Sequence, residues 1–545
     1  MKGAEIVLAC LRDHQVDTLF GYPGGAVIPL YDALHRQGQG FTHVRTAHEQ
    51  GAVHAADGYA RTTGKTGVVI ATSGPGATNT VTGIATAFMD SSPLVILTGQ
   101  VPSSLLGRDS FQEIDITGMT VPITKHNFLV RKIEDLEETL HQALVIANSG
   151  RPGPVLVDIT KDVLLDQCAY RGFIGYKEPV VATEGDLDQA LKLIRQAKRP
   201  VIYAGGGVGM GDAAATLLDL ATKGDIPVVN TLMGLGSIPR SHPLSLGLVG
   251  MHGFPEANDA ISKSDLVIAV GARFSDRVTG APGTFAPSAK IIHVDIDPTE
   301  FSKNVQVSLR LRGQVDIWLK ALVHGIDPMD HGDWRREIAS SVKPISFVNH
   351  MLTPASIIGL VAGRLSEASV VTDVGQHQMW TAQYWPFQRT RQFITSGGLG
   401  TMGFGMGAAM GTAKGIADQP VVLITGDGSF RMNSNELSTL AEAQLPVTII
   451  LMNNGALGMV RQWQKLFQDR RYEETCITDS IDYVKLAEAY GIQGFDVSTP
   501  QDLQEALAWE GLGKEPVLIN CRILKDEDVW PIVPPGKAIT NFILG

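Results

Sequence analysis

Residues 420–454 read PVVLITGDGSFRMNSNELSTLAEAQLPVTIILMNN. Two proline-led apolar runs enclose a helical segment; the first closes on Gly426-Asp427-Gly428 and the second on Asn453-Asn454. Short β-branched runs that are apolar throughout, rather than alternating, are strands buried on both faces, and strand, helix, strand at this spacing makes parallel neighbours. Asp427 and the Asn pair therefore leave the same edge of one sheet. Glycine on each side lets the backbone turn sharply and exposes N–H groups to an anion, while the carboxylate offers a hard oxygen ligand. The combination suits a diphosphate bridged by Mg²⁺, with asparagine amide oxygens as further donors. Alone, G-D-G reads as an ordinary turn; the Asn pair closing the next strand reverses that reading. Asn433 with Glu436 three residues on reads as a capping box, which predicts a helix starting at Asn433 with Leu437, Leu440 and Ala441 as its apolar stripe.

The same layout occurs at residues 67–100, GVVIATSGPGATNTVTGIATAFMDSSPLVILTGQ, where Gly74-Pro75-Gly76 stands in the place of Gly426-Asp427-Gly428. This reads as an old duplication of one α/β domain in which only the second copy keeps a charged ligand, with proline in the first where the second has aspartate. Similar buried runs (PVLVDI, PVIYAGGG, SDLVIAVGAR, KIIHVDIDP, SVVTDVGQH, PVLINC) recur between and beside the copies. The fold expected is α/β, with three doubly wound parallel-sheet domains and ligands beyond the carboxyl ends of strands. The domains fall at 1–165, 184–325 and 350–530, with a tail at 531–545 and polar, irregular linkers at 168–185 and 324–346.

With 545 residues the chain exceeds one hydrophobic core. A formal charge of −11 and the lack of any basic run argue against a nucleic-acid partner. The four cysteines are far apart without C-x-x-C spacing, which indicates neither a disulfide framework nor a zinc site and fits a reducing cytoplasm. No apolar stretch reaches the ~20 residues of a membrane span. The N-terminal segment puts Ile6, Val7, Cys10 and Leu11 on one helical face and reads as the first helix of a domain, not a leader.

A second element is TAHEQGAVHAADGYA, where a strand from Phe41 ends at His48-Glu49 before a small-residue helix. By itself Glu49 reads equally well as a first-turn acid favoured by the helix dipole. The G-D-G…N-N span, however, resembles the cofactor motif of thiamine-diphosphate enzymes. That resemblance implies that Asp427, the Asn454 side chain and the Ala456 carbonyl hold Mg²⁺, and that Gly375, Gln376 and His377 sit beside the diphosphate. It also implies that Glu49 is the acid against the aminopyrimidine ring. Gly24, Pro75, Asn79, Gly400, Met402, Gly426, Gly428, Ser429 and Met459 complete the thiamine site by the same motifs. In such enzymes Glu49 serves a cofactor whose diphosphate lies on the other subunit of a homodimer.

The motifs GYPGG, SGPGATN, FQEID, SGRPGPVLVDI, GGGVG, GMHG, GARFSDRVTG, HVDIDP, TSGGLGTMGFG and GMVRQWQ extend the resemblance over essentially the whole chain. They are similar to the acetohydroxyacid (acetolactate) synthase catalytic subunits, in their short bacterial form. This implies FAD in the central domain without net redox chemistry, lined by Arg151, Gly205, Gly206, Gly207, Met251, His252, Gly271, Ala272, Arg273, Arg277 and Asp295. It further implies decarboxylation of pyruvate and ligation to a second 2-oxo acid, pyruvate or 2-oxobutyrate, with a small regulatory subunit as partner. Arg273 would grip the acceptor carboxylate, Trp463 would shape the acceptor pocket, Gln112 would stand near the reacting carbon, and Lys161 and Phe111 near the mouth. From the residues alone, Trp463 and Phe111 read as core, and Lys161 and Gln112 as solvated surface. The chain departs from the family pattern at three places: Ser275 and Gln314 stand where it has Asp, and Met406-Gly407 where it has Leu-Pro, which would loosen a helix start. A thiamine- and FAD-dependent pyruvate oxidase shares the layout, and a nucleotide-binding regulatory protein that lost catalysis is a second alternative.

Overall fold

The computed structural model describes residues 1–172, 175, 181–340, 352–416, 418–477 and 480–544. The parts of the expected linkers at 173–174, 176–180 and 341–346 lie outside the described residues. The second linker is not irregular throughout: Gly332–Ala339 is a helix whose Trp334 and Ile338 are buried, because its two large apolar side chains, four residues apart, share one face.

Three six-stranded parallel sheets form the frame. The first holds β1 (Thr18–Gly21), β2 (Thr42–Arg45), β3 (Gly67–Ala71), β4 (Leu94–Gln100), β5 (His126–Val130) and β6 (Val155–Thr160). The second holds β7 (Pro200–Ala204), β8 (Val228–Asn230), β9 (Ser245–Leu248), β10 (Leu266–Val270), β11 (Lys290–Asp295) and β12 (Leu309–Arg312). The third holds β13 (Ser369–Thr372), β14 (Phe393–Ile394), β15 (Val421–Gly426), β16 (Val447–Asn453), β17 (Gln493–Val497) and β18 (Val517–Arg522). The spatial orders are β2-β1-β3-β4-β6-β5 and β14-β13-β15-β16-β18-β17 in the outer sheets, strand for strand the same. The central sheet runs β12-β11-β10-β7-β8-β9, the order of a dinucleotide-binding domain, with its reversal point between β7 and β10.

The shared order supports the duplication and corrects its alignment. Gly67 pairs with Leu94 as Val421 pairs with Val447, so counting along the strands sets Asp427 against Ser73, not Pro75. The first copy turns through Thr72-Ser73-Gly74 before its helix begins at Pro75, whereas in the second the helix begins at Asp427 directly after β15. The expected start at Asn433 is likewise overturned: Asn433 ends the Asp427–Asn433 helix, and its amide donates to the Gly403 carbonyl instead of capping.

The outer domains share one apolar core. Their closest approach is the crossing of the helix Glu49–Thr63 with the helix Phe404–Gly415. Gly58 lies against the Ala408 backbone and Gly411 against the Ala55 carbonyl, approaches that leave no room for a side chain. Gly407 belongs to this row, facing His54 and the Gly51 carbonyl, so it tightens the crossing and does not loosen the helix. The residues from Trp530 on fold back over the central domain, where Val533 N–H bonds the Met251 carbonyl at 2.9 Å.

Candidate active site

β15 and β16 lie side by side with Gly426 opposite Met452, which delivers Asp427 and Asn453-Asn454 to one sheet edge. Asp427 and Asn454 are both buried. The Asn454 Oδ1 accepts the Ala456 N–H at 3.1 Å, fixing the amide next to the Ala456 carbonyl. Among the described residues no three or more His, Cys, Asp or Glu side chains cluster as metal ligands. A cation here would meet one carboxylate and neutral oxygens, a hard donor set that fits Mg²⁺ completed by phosphate oxygens.

His377 opens the helix Gln376–Tyr384 beside Gly426 and is fully enclosed. Burial pushes its pKa down to about 3, so the ring is neutral at pH 7, and its Nε2 has no hydrogen-bond partner among the described residues. The ring's other nitrogen is bonded to the Asp373 backbone, so the enclosed Nε2 is a polar atom left unmet close to the glycine turn, which marks room there for a polar ligand such as a diphosphate. Gln376 Nε2 bonds Gln462 Oε1 at 3.0 Å and the Glu527 carbonyl at 2.8 Å. Ser429 bonds the Val374 carbonyl at 3.0 Å. Asp373, whose carboxyl burial pushes up to about 6, accepts the Gly403 N–H at 2.8 Å and holds the loop that carries Gly400 and Met402.

Glu49 stands at a separate place. It starts the helix Glu49–Thr63 behind an N-cap His48, is buried, and accepts the Asn79 amide at 2.9 Å. Gly76 lies against the Glu49 carboxylate and Thr72, Gly24 packs on Thr72, and Gln112, itself at φ 60°, backs Gly74. Pro75 begins the short helix that leads to Asn79. Nearby in sequence, Phe111 is 88% exposed, and Lys161, the first residue of a helix after β6, is half-buried.

A cavity of about 960 Å³ runs from the central domain to the C-terminal one. All eleven residues expected at a flavin line it: Arg151, Gly205, Gly206, Gly207, Met251, His252, Gly271, Ala272, Arg273, Arg277 and Asp295. Gly375, Gly400, Met402, Met459 and Trp463 line its other end, while Glu49, Asn79, Pro75, Gly24, Gln112 and Lys161 do not. Tyr203 also lines it, with a buried hydroxyl that has no partner among the described residues. Together with the glycine turn at the switch point of a dinucleotide-binding sheet, this fits a large planar cofactor bearing a diphosphate.

Three stretches of the chain match descriptions of thiamine pyrophosphate enzymes: the N-terminal TPP binding domain at residues 1–119, the central domain at 187–322 and the C-terminal TPP binding domain at 373–521. The chain is 46% identical over 549 residues to the acetolactate synthase isozyme 2 large subunit of Escherichia coli K12, covering 100% of this chain and 99% of that protein. It is 42% identical over 564 residues to the acetolactate synthase large subunit of Haemophilus influenzae, covering 100% and 98% of the two chains. The chain belongs to the acetolactate synthase large-subunit family. As a member of that family it is a thiamine-dependent carboligase.

Within this family frame several side chains stand differently from the expectation. Arg273 Nη1 donates to the Met89 carbonyl at 2.6 Å, whereas the exposed Arg277 guanidinium lies 5.7 Å over the Trp463 ring. Both arginines line the cavity, and Arg277 is the one that approaches Trp463. Trp463 is half-buried on the cavity wall, with its helix facing it toward Arg277 and Phe467, so its reading as simple core does not hold. Phe111 is not core either: the loop at 107–113, stapled by Glu113 to the Ser110 N–H, holds it out in solvent. Arg151 bonds Ser91 at 2.8 Å and pairs with Glu300 at 2.8 Å, bridging the N-terminal and central domains at the cavity. Ser275 caps the Asp276–Thr279 helix, a position that serine and aspartate serve alike, which explains that departure. Gln314 lies on the cavity wall.

The sequence reading missed Met89-Asp90-Ser91 and Ser396-Gly397-Gly398-Leu399 on the cavity wall. The signal available was Asp90, a lone carboxylate closing an otherwise apolar helical run ahead of a buried strand.

Proposed function

We propose that the chain decarboxylates pyruvate and joins the two-carbon unit to a second 2-oxo acid, pyruvate or 2-oxobutyrate, giving acetolactate or acetohydroxybutyrate. We infer a homodimer in which Glu49 of one copy faces the Asp427 side of the other. One observation carries this reading: Glu49 ends in a corner of the N-terminal domain with Asn79 and Gln112, whereas Asp427 and Asn454 end neighbouring strands of the C-terminal sheet, and the cavity that reaches Gly400, Met402, Met459 and Trp463 is lined by neither group. A corner holding a buried acid beside an 88% exposed Phe111 is half a site, and a second copy supplies the missing wall.

Asp427, Asn454 and the Ala456 carbonyl would hold Mg²⁺, His377 would stand beside the diphosphate, and Gly426, Gly428 and Ser429 would give the anion backbone access. Thiamine diphosphate, when bound, supplies the electron sink for losing CO₂. Glu49 would hold a proton at the aminopyrimidine ring. Arg277, whose guanidinium lies 5.7 Å from the Trp463 ring, would grip the acceptor carboxylate as a fork, and Trp463 would favour the acceptor with the extra methylene, a difference worth about 1–3 kcal/mol. Phe111, Gln112 and Lys161 would close the mouth against water, so that the acceptor reacts before a proton does. The flavin-sized cavity would take FAD structurally. A small regulatory subunit is expected because the relatives are named large subunits. No helix is long and apolar enough to cross a membrane among the described residues, and we place the enzyme in the cytoplasm.

The test is to incubate the purified chain with thiamine diphosphate, Mg²⁺, FAD, pyruvate and 2-oxobutyrate and identify the products. Acetolactate and acetohydroxybutyrate are expected; acetate or acetyl phosphate with flavin reduction would mark an oxidase.

A further inference from the structure

Two buried carboxylates reach across the contact between the outer domains in matching fashion. Glu436, in the C-terminal domain, accepts the backbone N–H groups of Ala47 and His48, each at 3.0 Å, just ahead of Glu49. Asp90, in the N-terminal domain, accepts the N–H groups of Gly397 at 3.0 Å and Gly398 at 2.7 Å, just ahead of Gly400 and Met402. The two loops are counterparts in the duplication: each leads from an edge strand, β2 or β14, into one of the two crossing helices.

Each carboxylate occupies space that a glycine leaves free. A side chain at Gly51 would strike the Glu436 carboxylate, and one at Gly398 would come within 2.8 Å of Asp90 Oδ1. Each is tied from a second side. Thr439 donates to Glu436 at 2.6 Å. Arg61, itself paired with Asp57, donates to Asp90 at 3.1 Å and to the Thr395 carbonyl at 2.7 Å, and Thr86 meets Thr401 at 2.7 Å. Successive backbone N–H groups folded around a fixed anion make a rigid nest, and a charged acceptor is stronger than a neutral one.

We propose that Glu436 and Asp90 are reciprocal positioning residues, each fixing from the opposite domain the loop that carries a cofactor-facing group: Glu49 in one case, Gly400 and Met402 in the other. The proposal rests on the thiamine reading above. Each acts through two amides, although Asp90 also lines the large cavity. Because both loops belong to one chain but serve different sites of the dimer, the clamps also tie the geometry of one site to that of its neighbour.

The test uses the full-length chain with Mg²⁺ and reads thiamine diphosphate affinity by calorimetry and deuterium exchange at the thiazolium carbon by NMR. An amide keeps one acceptor but turns an N–H₂ toward a second donor, so Asp90→Asn should weaken thiamine diphosphate binding by about 10–100-fold. Glu436→Gln should leave that affinity within about threefold and slow the exchange by at least about tenfold. Asp57→Asn removes a buried carboxylate from the same arginine without touching the loop; an affinity loss as large as in Asp90→Asn would overturn positioning. Should either amide variant fail to fold, Thr86→Val and Thr439→Val carry the test, with shifts of about threefold expected and unchanged values overturning the proposal. Wild-type chain that binds no thiamine diphosphate would refute the functional reading itself. Wild-type binding with normal affinity in Asp90→Asn and normal exchange in Glu436→Gln would overturn the clamps alone.

Discussion

The first and third domains have the same strand order and the same strand registers, yet their chemistry sits at different turns. In the third domain the acid stands where the central strand β15 ends, and Asn454 stands on the strand beside it. In the first domain the position equivalent to Asp427 is Ser73, and counting from the leading prolines of β4 and β16 sets Val101 against Asn454. Neither proposed metal donor has a counterpart there, and the acid appears one element earlier, as Glu49 on the helix after edge strand β2. A duplicated sheet offers the same set of turns twice, and function divides according to which turn holds a carboxylate.

The sharpest break of this comparison is Glu49→Ala. Turnover should fall by about 10²–10⁴ while thiamine diphosphate affinity changes little, since the proposed function assigns the diphosphate to the other half. Steady-state rates beside calorimetry check it, and near-native turnover would take Glu49 out of the chemistry. Next in size, Asp427→Ala should do the reverse, weakening Mg²⁺-dependent thiamine diphosphate binding by about 10²-fold. An affinity indifferent to Mg²⁺ in the wild type would dissolve the distinction between the two acids. Smaller again, Trp463→Leu should keep pyruvate self-coupling and lose about tenfold of the preference for 2-oxobutyrate. A competition assay with an unchanged product ratio would return Trp463 to a packing role.

Ten strands were legible because they are buried on both faces, which makes a strand apolar from end to end. The sheet edges were harder to read: β2 was expected from Phe41 to His48-Glu49 but spans only Thr42–Arg45, and β5, β9, β12, β14 and β17 went unread, since strands such as QGFDV and LRLR have one side open and carry polar residues accordingly. β1 and β8 are interior but only four and three residues long, too short to show a pattern. That Asp427 and Asn453-Asn454 share one sheet edge was legible, since neighbouring parallel strands must deliver their ends together. Arg277 and Arg273 could not be told apart, because a four-residue separation across a turn at Phe274, φ 50°, sends their side chains to different walls. Asp90 and Glu436 act through contacts more than 300 residues apart in sequence, beyond any local pattern.

A last comparison sets two buried carboxyls against each other, one from each copy. Burial pushes Asp158 on β6 and Asp373 after β13 up to about 6. A carboxyl raised in the folded state binds its proton there more tightly than in the unfolded chain, so the cost of burying it is absent at acid pH. That cost develops from pH 4 upward and is complete above pH 6. Among the described residues Asp158 accepts from the Thr98 hydroxyl at 2.7 Å and the Gln100 amide at 2.9 Å, neither of which belongs to a loop assigned to a cofactor. Asp158→Asn should therefore raise stability above pH 6 by up to about 1 kcal/mol, after the weaker hydrogen bonds are set against the relieved charge, and leave it unchanged near pH 4. Asp373→Asn should show the same pH trend but lose thiamine diphosphate affinity, because Asp373 holds the Gly403 N–H. Melting curves of both variants at pH 4.5 and 8, with and without thiamine diphosphate, separate a carboxylate that only bears burial from one that also shapes the site. Equal shifts at both pH values would mean that neither group is ionised in the folded chain.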